Sequence, residues 1–378
     1  MDNFSDNAVR RSAPPFRYDV VGSFLRPPAL KKARQQLAEG TISREQLRSV
    51  EDSEIVNLVR KQKSLGLQAV TDGEFRRSWW HLDFLWNLDG VAKVAAEHGS
   101  IAFHGKDTKA ETIAIRGKID FSEHPFLRDF KFTQGIAGDT LAKVTIPSPS
   151  MLHLITTVRK EDYRPIALYR DNDALLADIA AAYKKAIAAF YEAGCRYLQL
   201  DDTSWGEFCS AEKRAQYAER GFDLDELARS YVKMINDAIA DRPSDMTVTM
   251  HICRGNFRST WFSAGGYEPV APILFANCAV DGFFLEYDSD RAGDFQPLRF
   301  IQKQQVVLGL ITSKDGVLEN KAEVIARIGE AARYVDINQL CLSPQCGFAS
   351  TEEGNILTEE QQWQKIALVK EIAEAVWA

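Results

Sequence analysis

One histidine and two cysteines in the second half of the chain have the types and spacing of zinc ligands. His251 and Cys253 are two residues apart, so they point to the same side of an extended segment. An imidazole and a thiolate aimed at one point suit Zn²⁺, which prefers nitrogen and sulfur ligands. Cys346 follows the last apolar run and can reach the same point, and Glu286 could add an oxygen. These residues predict a zinc enzyme that activates a thiol, because a fourth ligand could be displaced by substrate.

A second set of polar residues is acidic and consists of Glu74, Asp201 and Asp202. Carboxylates that lie close together are costly unless a cation binds between them. That cation could be the ammonium group of a substrate. It could equally be the guanidinium of Arg76 or Arg77, in which case the acidic set forms ordinary salt bridges.

The elements that must position these residues alternate along the chain. Eight short apolar runs are typical of strands, at 18–23, 68–72, 142–146, 196–201, 246–251, 281–286, 305–310 and 338–343. Helical periodicity lies between them, at 43–65, 172–193, 224–240, 320–333 and 359–377. Strands that alternate with helices imply a parallel sheet, and eight of them favour a closed barrel. We therefore predict an α/β protein that is a single (β/α)8 TIM barrel. No glycine-rich phosphate motif follows the first run, which disfavours a dinucleotide-binding sheet.

Polar residues cluster where the predicted strands end, which is where TIM barrels carry their chemistry. Six strands end this way, at Gly22-Ser23, Asp72-Gly73-Glu74, Asp201-Asp202, His251-Ile252-Cys253, Glu286 and Ser343 to Gly347. A buried polar group without a partner costs several kcal/mol, on the order of 2–7. Taken alone, His251 and Cys253 could be core packing residues. Their shared position on the barrel rim favours metal coordination.

The sequence predicts a short N-terminal segment and one domain. Polar residues 1–16 predict a flexible N-terminal segment, and 17–378 predicts one catalytic domain. The irregular stretch 79–135 predicts a long insertion after the second strand that covers one mouth of the barrel, with a hairpin near 101–121. Three tryptophans lie in this insertion: Trp79, Trp80 and Trp86. Beside them, His81 is the remaining histidine that could line a pocket.

Composition excludes several other classes of protein. The net charge of −7 comes without a clustered basic face, which argues against a nucleic-acid partner. No apolar run approaches the roughly 18 residues that span a bilayer, and residues 1–16 lack the apolar core of a secretory signal. We therefore expect a cytoplasmic protein without a membrane partner. The other four cysteines are expected to be packing residues: Cys195, Cys209, Cys278 and Cys341.

Six short motifs occur in order, each at a predicted strand end. They are VGSF at 21–24, DGE followed by arginine at 72–77, LQLDD at 198–202, H-x-C at 251–253, LE at 285–286 and SPQCG at 343–347. Together they resemble the C-terminal catalytic barrel of cobalamin-independent methionine synthase. The resemblance runs from about residue 17 to the end and is closest to single-barrel relatives, which lack the family's N-terminal barrel.

The resemblance implies a zinc ion and two substrates. The implied zinc ligands are His251, Cys253, Glu286 and Cys346. The implied homocysteine contacts are the backbone near Ser23 and the carboxylates of Glu74 and Asp201. The implied activity is that of a 5-methyltetrahydropteroyltriglutamate–homocysteine S-methyltransferase. In that reaction the homocysteine thiol takes a methyl group from 5-methyltetrahydrofolate, or its polyglutamate, and becomes methionine. A thiol of pKa near 8.5 is deprotonated when it binds zinc, so the implied chemistry is sound at neutral pH.

The sequence departs from the family pattern in the half of the site that would hold the methyl donor. The family's loop after the seventh strand carries a histidine that supplies a proton to the folate, whereas 310–315 reads LITSKD. The family's tryptophan after the third strand is also absent, since 146–150 reads IPSPS. The donor is therefore open between the folate and a simpler methyl donor, and no catalytic residue is assigned.

Three alternatives stay open at this stage. The chain could be a zinc-dependent alkyltransferase that acts on another thiol, like the epoxyalkane–coenzyme M transferases. It could be a non-catalytic protein that binds zinc or thiols. It could also be a metal-free barrel of the uroporphyrinogen decarboxylase type.

Overall fold

The computed structural model describes residues 11–95 and 111–377. The helices are α1 (Pro28–Ala38), α2 (Arg44–Ser64), α3 (Leu82–Leu85), α4 (Pro125–Ala137), α5 (Pro149–His153), α6 (Asn172–Glu192), α7 (Ser204–Cys209), α8 (Ala211–Glu219), α9 (Leu224–Ile239), α10 (Ala271–Asn277), α11 (Lys321–Ala331) and α12 (Glu359–Trp377). The strands are β1 (Ala69–Val70), β2 (Asp89–Ala95), β3 (Glu111–Asp120), β4 (Leu141–Pro147), β5 (Tyr197–Asp202), β6 (Thr247–Ile252), β7 (Gly282–Glu286), β8 (Gln305–Ile311) and β9 (Leu340–Pro344). Short turns of 3₁₀ or π helix lie at Leu154–Val158, Ala167–Tyr169, Asp290–Ala292, Gln296–Phe300 and Ile337–Gln339.

Seven of the strands form one parallel sheet in the order β1-β4-β5-β6-β7-β8-β9. The predicted α/β class with a parallel sheet is therefore confirmed, and the curled sheet is consistent with a TIM-like barrel. The first predicted strand, 18–23, makes isolated parallel bridges instead of a ladder, from Tyr18 to Leu342 and from Ser23 to Gly73. These bridges join it to β9 and to the segment that follows β1, at the two ends of the sheet. A fully closed barrel of eight strands stays a prediction.

Side chains explain why 18–23 does not pair as a regular strand. The backbone N–H of Val20 donates to the carboxylate of Asp19 at 2.7 Å. The carbonyl of Val20 accepts from the buried ammonium of Lys143 at 2.6 Å, and that of Gly22 accepts from the hydroxyl of Thr71 at 2.6 Å. Side chains from this segment and its neighbours thus occupy backbone groups that a regular ladder would use.

The other predicted elements lie within two residues of their expected bounds, because their patterns are strong. Strands β4 to β9 are buried throughout except at the first residues of β4, β6 and β8, as expected for a parallel sheet covered on both faces. Helix α2 is capped by Ser43, whose hydroxyl accepts from the N–H of Gln46 while the Gln46 side chain accepts from the N–H of Ser43. This reciprocal cap fixes the start of the helix.

The stretch between β1 and β4 contains α3, a hairpin and α4. Strands β2 and β3 pair in antiparallel fashion, with Val91 opposite Ile115 and Ala95 opposite Glu111. The predicted hairpin near 101–121 matches the position of β3, whereas its residues before 111 lie outside the described part of the chain. That this stretch is an insertion covering a barrel mouth stays a prediction.

The predicted flexible segment 1–16 lies mostly outside the described residues, and the boundary at 17 stays a prediction. Phe16 itself is buried in the core. Among the described helices, none combines the length and the apolar composition needed to cross a bilayer.

Candidate metal centre and substrate cavity

Four residues from three strand ends converge at the carboxyl edge of the sheet. His251 lies near the end of β6 and Cys253 directly follows it, Glu286 is the last residue of β7, and Cys346 lies two residues beyond β9. One ligand atom from each lies within 4.8 Å of the other three, and all four side chains are buried. The structure therefore brings together the four residues that the sequence suggested as metal ligands.

The unsatisfied atoms of this cluster are those a cation would engage. His251 Nδ1 lies 3.3 Å from the carbonyl oxygen of Phe284, which leaves Nε2 without a partner among the described residues. Glu286 Oε1 accepts from the backbone N–H of Arg254 at 2.9 Å, whereas Oε2 has no partner in the described part of the chain. Buried polar atoms are normally hydrogen-bonded, so two orphaned ligand atoms beside two thiols fit a bound metal ion.

The two sulfur atoms lie 3.6 Å apart, which is too far for a disulfide and suits two ligands of one ion. The hydrogen bond between them holds the pKa of the Cys346 thiol well below its usual range, with His251 as a further cause. The same hydrogen bond, together with burial, raises the pKa of Cys253. Burial raises the pKa of Glu286, and the charge of Lys314 opposes that rise. Cys346 is therefore the member of the cluster that loses its proton most readily, and a bound cation would favour the charged forms of Cys253 and Glu286 as well.

A backbone N–H and a side-chain hydroxyl lie next to the two sulfur atoms. The N–H of Gly255 donates to the sulfur of Cys253 at 3.3 Å. The sulfur of Cys346 lies 4.0 Å from the hydroxyl oxygen of Ser350. Such contacts set the direction and basicity of metal ligands.

Glu74 and Asp201 lie on the same cavity as the thiols. Glu74 has a left-handed backbone conformation, with φ 59°, which costs about 1–3 kcal/mol for a residue other than glycine. Its Oε1 accepts from the hydroxyl of Thr145 at 2.9 Å, and its Oε2 has no partner among the described residues. The strained backbone aims a half-satisfied carboxylate into the cavity.

The pKa of both carboxylates is raised. Burial is the first cause for both, and the nearby Glu74 contributes to raising the pKa of Asp201 to about 7. The side chain of Gln199 donates to Asp201 Oδ1 at 2.7 Å. Arg77 is 3.5 Å from Glu74, so it supplies part of the expected countercharge. A cation that enters the cavity would supply the rest.

Two residues that the sequence grouped with Glu74 and Asp201 point away from them, namely Arg76 and Asp202. Arg76 turns away to Glu51, at 3.0 Å, and to Asp52, at 2.6 Å, so the expectation that it pairs with the acidic set is wrong. The reason is that helix α2 offers Arg76 two carboxylates of its own. Asp202 also points elsewhere and accepts from the backbone N–H of Ser204 at 2.7 Å.

Ser23 is held against the loop that carries Cys346. The carbonyl of Ser23 accepts from the N–H of Phe348 at 3.0 Å, and its hydroxyl accepts from the N–H of Ala349 at 3.3 Å. A Cβ placed on Gly347 would stand 2.0 Å from the Ser23 hydroxyl, so only glycine fits there. Ser23 therefore lines the cavity next to the cluster.

Beyond the thiols and carboxylates, the cavity continues along an aromatic wall. The wall is lined by Trp79, Trp80, His81, Met151, Arg159 and Phe262, among others. The ring of His81 packs 4.4 Å from that of Trp80, and burial lowers the pKa of His81 to about 3, so its imidazole is neutral. Arg159 is neutralised by Glu207.

The sequence suggested His81 and two of the tryptophans for this cavity but missed Met151, Arg159 and Phe262. Arg159 and Phe262 lie in or near loops without a polar strand ending, so no rim pattern marks them. The run of aromatic residues after Cys253 was the one available signal for Phe262. Trp86 is outside the cavity lining, and Lys93 lies 4.2 Å over its ring. The four cysteines expected to pack in the core are all buried and free.

A family model described as the catalytic domain of cobalamin-independent synthase matches residues 16–368. The chain belongs to this family. It is 55% identical to the uncharacterized protein YxjG of Bacillus subtilis, over 98% of this chain and 97% of that protein. It is 22% identical to the methionine synthase of Saccharolobus solfataricus, over 94% of this chain and 93% of the relative.

Solved structures agree with this assignment. A Listeria monocytogenes protein, proposed to be a vitamin-B12-independent methionine synthase, is 43% identical. Its crystal structure superimposes with a TM-score of 0.78 and covers 97% of this chain and 100% of that chain. The family relationship thus spans nearly the whole single-barrel chain, as the motifs predicted.

Proposed function

We propose that this protein is a zinc-dependent methyltransferase that transfers a methyl group to the thiol of homocysteine and forms methionine. One observation carries the proposal. The His251, Cys253, Glu286 and Cys346 cluster shares a cavity with two carboxylates, Glu74 and Asp201, that lack full countercharge. A substrate that satisfies both ends has a thiol at one end and an ammonium group at the other. Homocysteine is such a molecule, and the family of synthases to which the chain belongs supports it.

The donor set suits Zn²⁺ because it combines two sulfurs, an imidazole nitrogen and a carboxylate oxygen. When bound, zinc would hold the substrate sulfur as a thiolate at neutral pH and so supply the nucleophile. The protein's own contribution is orientation. Glu74 and Asp201 bind the ammonium group, and the backbone near Ser23 binds the amino-acid carboxylate. Because both ends of the bound substrate are fixed, its sulfur can approach the methyl group from only one direction.

The aromatic wall supports a flat methyl donor such as 5-methyltetrahydrofolate or its polyglutamate. Tryptophan faces bind planar rings. Trp79 and Trp80 offer this surface from the segment after β1, whereas the loop at 146–150 has no tryptophan. His81 stays neutral beside them and can hydrogen-bond a ring without charge repulsion.

The same electrostatics weigh against one alternative, alkyl transfer to coenzyme M or another anionic thiol. Such a thiol would place an acidic group where Glu74 and Asp201 already lie, which like-charge repulsion opposes. A non-catalytic protein that binds zinc or thiols differs from the proposed methyltransferase only in that it forms no methionine. A metal-free barrel would leave His251 Nε2 and Glu286 Oε2 buried without partners among the described residues.

The test is a donor panel with protein purified without chelators. Zinc content is measured first, and about one equivalent is expected. Methionine formation from homocysteine is then followed with methyltetrahydrofolate, its polyglutamate, methylcobalamin and S-methyl donors. Product with the folates supports the full proposal, and product with another donor alone would correct the donor. Zinc-loaded protein that forms no methionine with any donor would contradict the proposed reaction.

A further inference from the structure

The loop after β8 carries a buried lysine, Lys314, and packs against the loop that holds Cys346. Strand β8 lies between β7, which ends at Glu286, and β9, which leads to Cys346. The hydroxyl of Ser313 donates within 2.9 Å of both the side-chain oxygen of Gln345 and the carbonyl of Gly347. Because these two residues flank Cys346, the loop is fastened on both sides of that ligand. Lys314 is the next residue of the loop.

The ammonium of Lys314 is buried without a hydrogen-bonding partner in the described part of the chain. Its charge acts to lower the pKa of Glu286, Cys253 and Cys346, against the burial that acts to raise all three. Cys253 and Cys346 line the cavity, whereas neither Glu286 nor Lys314 belongs to the described cavity lining. Lys314 therefore acts on the cluster from outside the described cavity lining.

A charge count shows what an ammonium in that place does. A centre of Zn²⁺, two thiolates and one carboxylate has a net charge of −1. Addition of a substrate thiolate takes the centre to −2. In a buried site that second negative charge needs a countercharge.

We propose that Lys314 is this countercharge, a positioning residue that favours a thiolate over a thioether at the metal centre. The inference rests on the proposed function in one respect, namely that the acceptor is a thiol that binds at the metal. Methionine is a thioether and adds no charge, so Lys314 strengthens binding of the substrate and not of the product. The residue thereby helps the product to leave.

Arg254 is the other buried cation near the cluster, and its geometry gives it a different role. Its guanidinium lies 4.4 Å over the ring of Tyr267, and only its backbone N–H contacts Glu286. The side-chain nitrogens of Arg254 also have no hydrogen-bonding partner among the described residues, but Lys314 is the cation whose charge acts on both thiols as well as on Glu286.

The test uses the full chain loaded with Co²⁺, whose sulfur-to-metal absorption reports thiolate binding directly. Four proteins are compared: wild type, Lys314→Met, Lys314→Arg and, as a matched control, Lys321→Met. Lys321 is an exposed lysine that pairs with Glu371 away from the cluster. Each protein is titrated with homocysteine, with methionine and with 2-mercaptoethanol, and its zinc affinity and thermal midpoint are measured.

Lys314→Met is expected to keep its metal affinity and its affinity for methionine within about threefold. Its affinity for homocysteine and 2-mercaptoethanol should fall by about 10- to 100-fold, the size of one charge–charge interaction in a partly screened interior. Lys314→Arg should restore most of the loss, and Lys321→Met should match wild type.

Two results would overturn the inference. One is that Lys314→Met binds both thiols as wild type does. The other is that metal, thiols and methionine all weaken together with the thermal midpoint, which indicates a purely structural role. The proposed function fails separately, in the product assay of wild type, because 2-mercaptoethanol probes the charge at the metal whether or not homocysteine is the substrate.

Discussion

The Sγ atoms of Cys253 and Cys346 lie 3.6 Å apart although 93 residues separate them in the chain. Strands β6 and β9 deliver the two thiols to one point, and neither strand is adjacent to the other in the sheet. A sheet that curls brings such strand ends together, which is why the pair is explained by a shared ion more simply than by packing.

Cys346→Ser tests that explanation. We expect zinc affinity to fall by at least about 100-fold and methyl transfer to fall with it, because a hydroxyl is a poor ligand for zinc at neutral pH. Metal competition with a chromophoric chelator measures the loss. Cys278→Ser is the matched control, since Cys278 is equally buried but lies outside the cluster. Full zinc occupancy and turnover in Cys346→Ser would remove this residue from the site.

Asp201 predicts a pH dependence of amino-acid binding. Its pKa is raised to about 7, first by burial and also by Glu74, so the carboxylate is charged above that pH and protonated below it. Methionine is the clean probe, because its ammonium group is charged throughout this range and it has no thiol. Its affinity should therefore fall as the pH drops through about 7. Asp201→Asn should bind methionine about 10-fold more weakly at high pH and lose most of the pH dependence, as measured by calorimetry. A wild-type affinity that is flat between about pH 6 and 8 would contradict this role.

The contact between Gly347 and Ser23 predicts a rescue experiment. Gly347→Ala places a methyl group 2.0 Å from the Ser23 hydroxyl, which must displace either Ser23 or the loop that carries Cys346. We expect a loss of about 1–3 kcal/mol in the free energy of unfolding, with weaker zinc binding. Adding Ser23→Gly should recover part of both losses.

Gly329→Ala is the control for that experiment, because nothing described lies within 4 Å of a Cβ at this helical position. It should stabilise the protein by about 0.5–1 kcal/mol. Chemical denaturation measures all of these variants. If the double variant is no better than Gly347→Ala alone, the clash is not with Ser23.

Buried His153 predicts how stability changes in acid. Burial lowers its pKa from 6.5 to about 4. The unfolded chain binds a proton below about pH 6.5 and the folded protein only below about 4, so this contribution is present above 6.5 and lost as the pH falls.

The matching experiment compares wild type with His153→Gln, which can keep a hydrogen bond to Tyr231. Between about pH 7.5 and pH 5, wild type should lose about 2 kcal/mol more unfolding free energy than the variant. Urea titrations at both pH values measure this difference. Equal losses in the two proteins would mean that His153 is protonated in the folded state.

Much of the fold follows from local pattern. Helix α2 is predictable because Ser43 and Gln46 form a recognisable cap, and β7 because an apolar run ends at a glutamate. The segment 18–23 is not predictable in this way, because Asp19, Lys143 and Thr71 take backbone groups that its sequence assigns to a ladder. Lys143 and Thr71 are remote in sequence, and residue types do not reveal these contacts.

The candidate site, like the fold, is predictable from the sequence only in part. Polar strand endings identify His251, Glu286 and Cys346, because a charged or thiol group has few reasons to end a buried strand. The direction of a side chain beyond the strand end is not encoded in such a pattern. Arg76 and Arg77 are neighbours in sequence, yet Arg77 reaches Glu74 whereas Arg76 pairs with Glu51. The role of Lys314 could not be predicted from the sequence for a similar reason, because only the folded loop shows that its ammonium is buried and acts on the cluster.

X-ray absorption at the zinc edge tests the central claim most directly. The purified protein is measured alone and with homocysteine, and the number of sulfur ligands is counted. We predict about one equivalent of zinc with two sulfur ligands, rising to three when homocysteine binds, as the chemistry of the donor set requires. Protein without zinc, or a sulfur count that stays at two with saturating homocysteine, would contradict the claim that this site activates the homocysteine thiol.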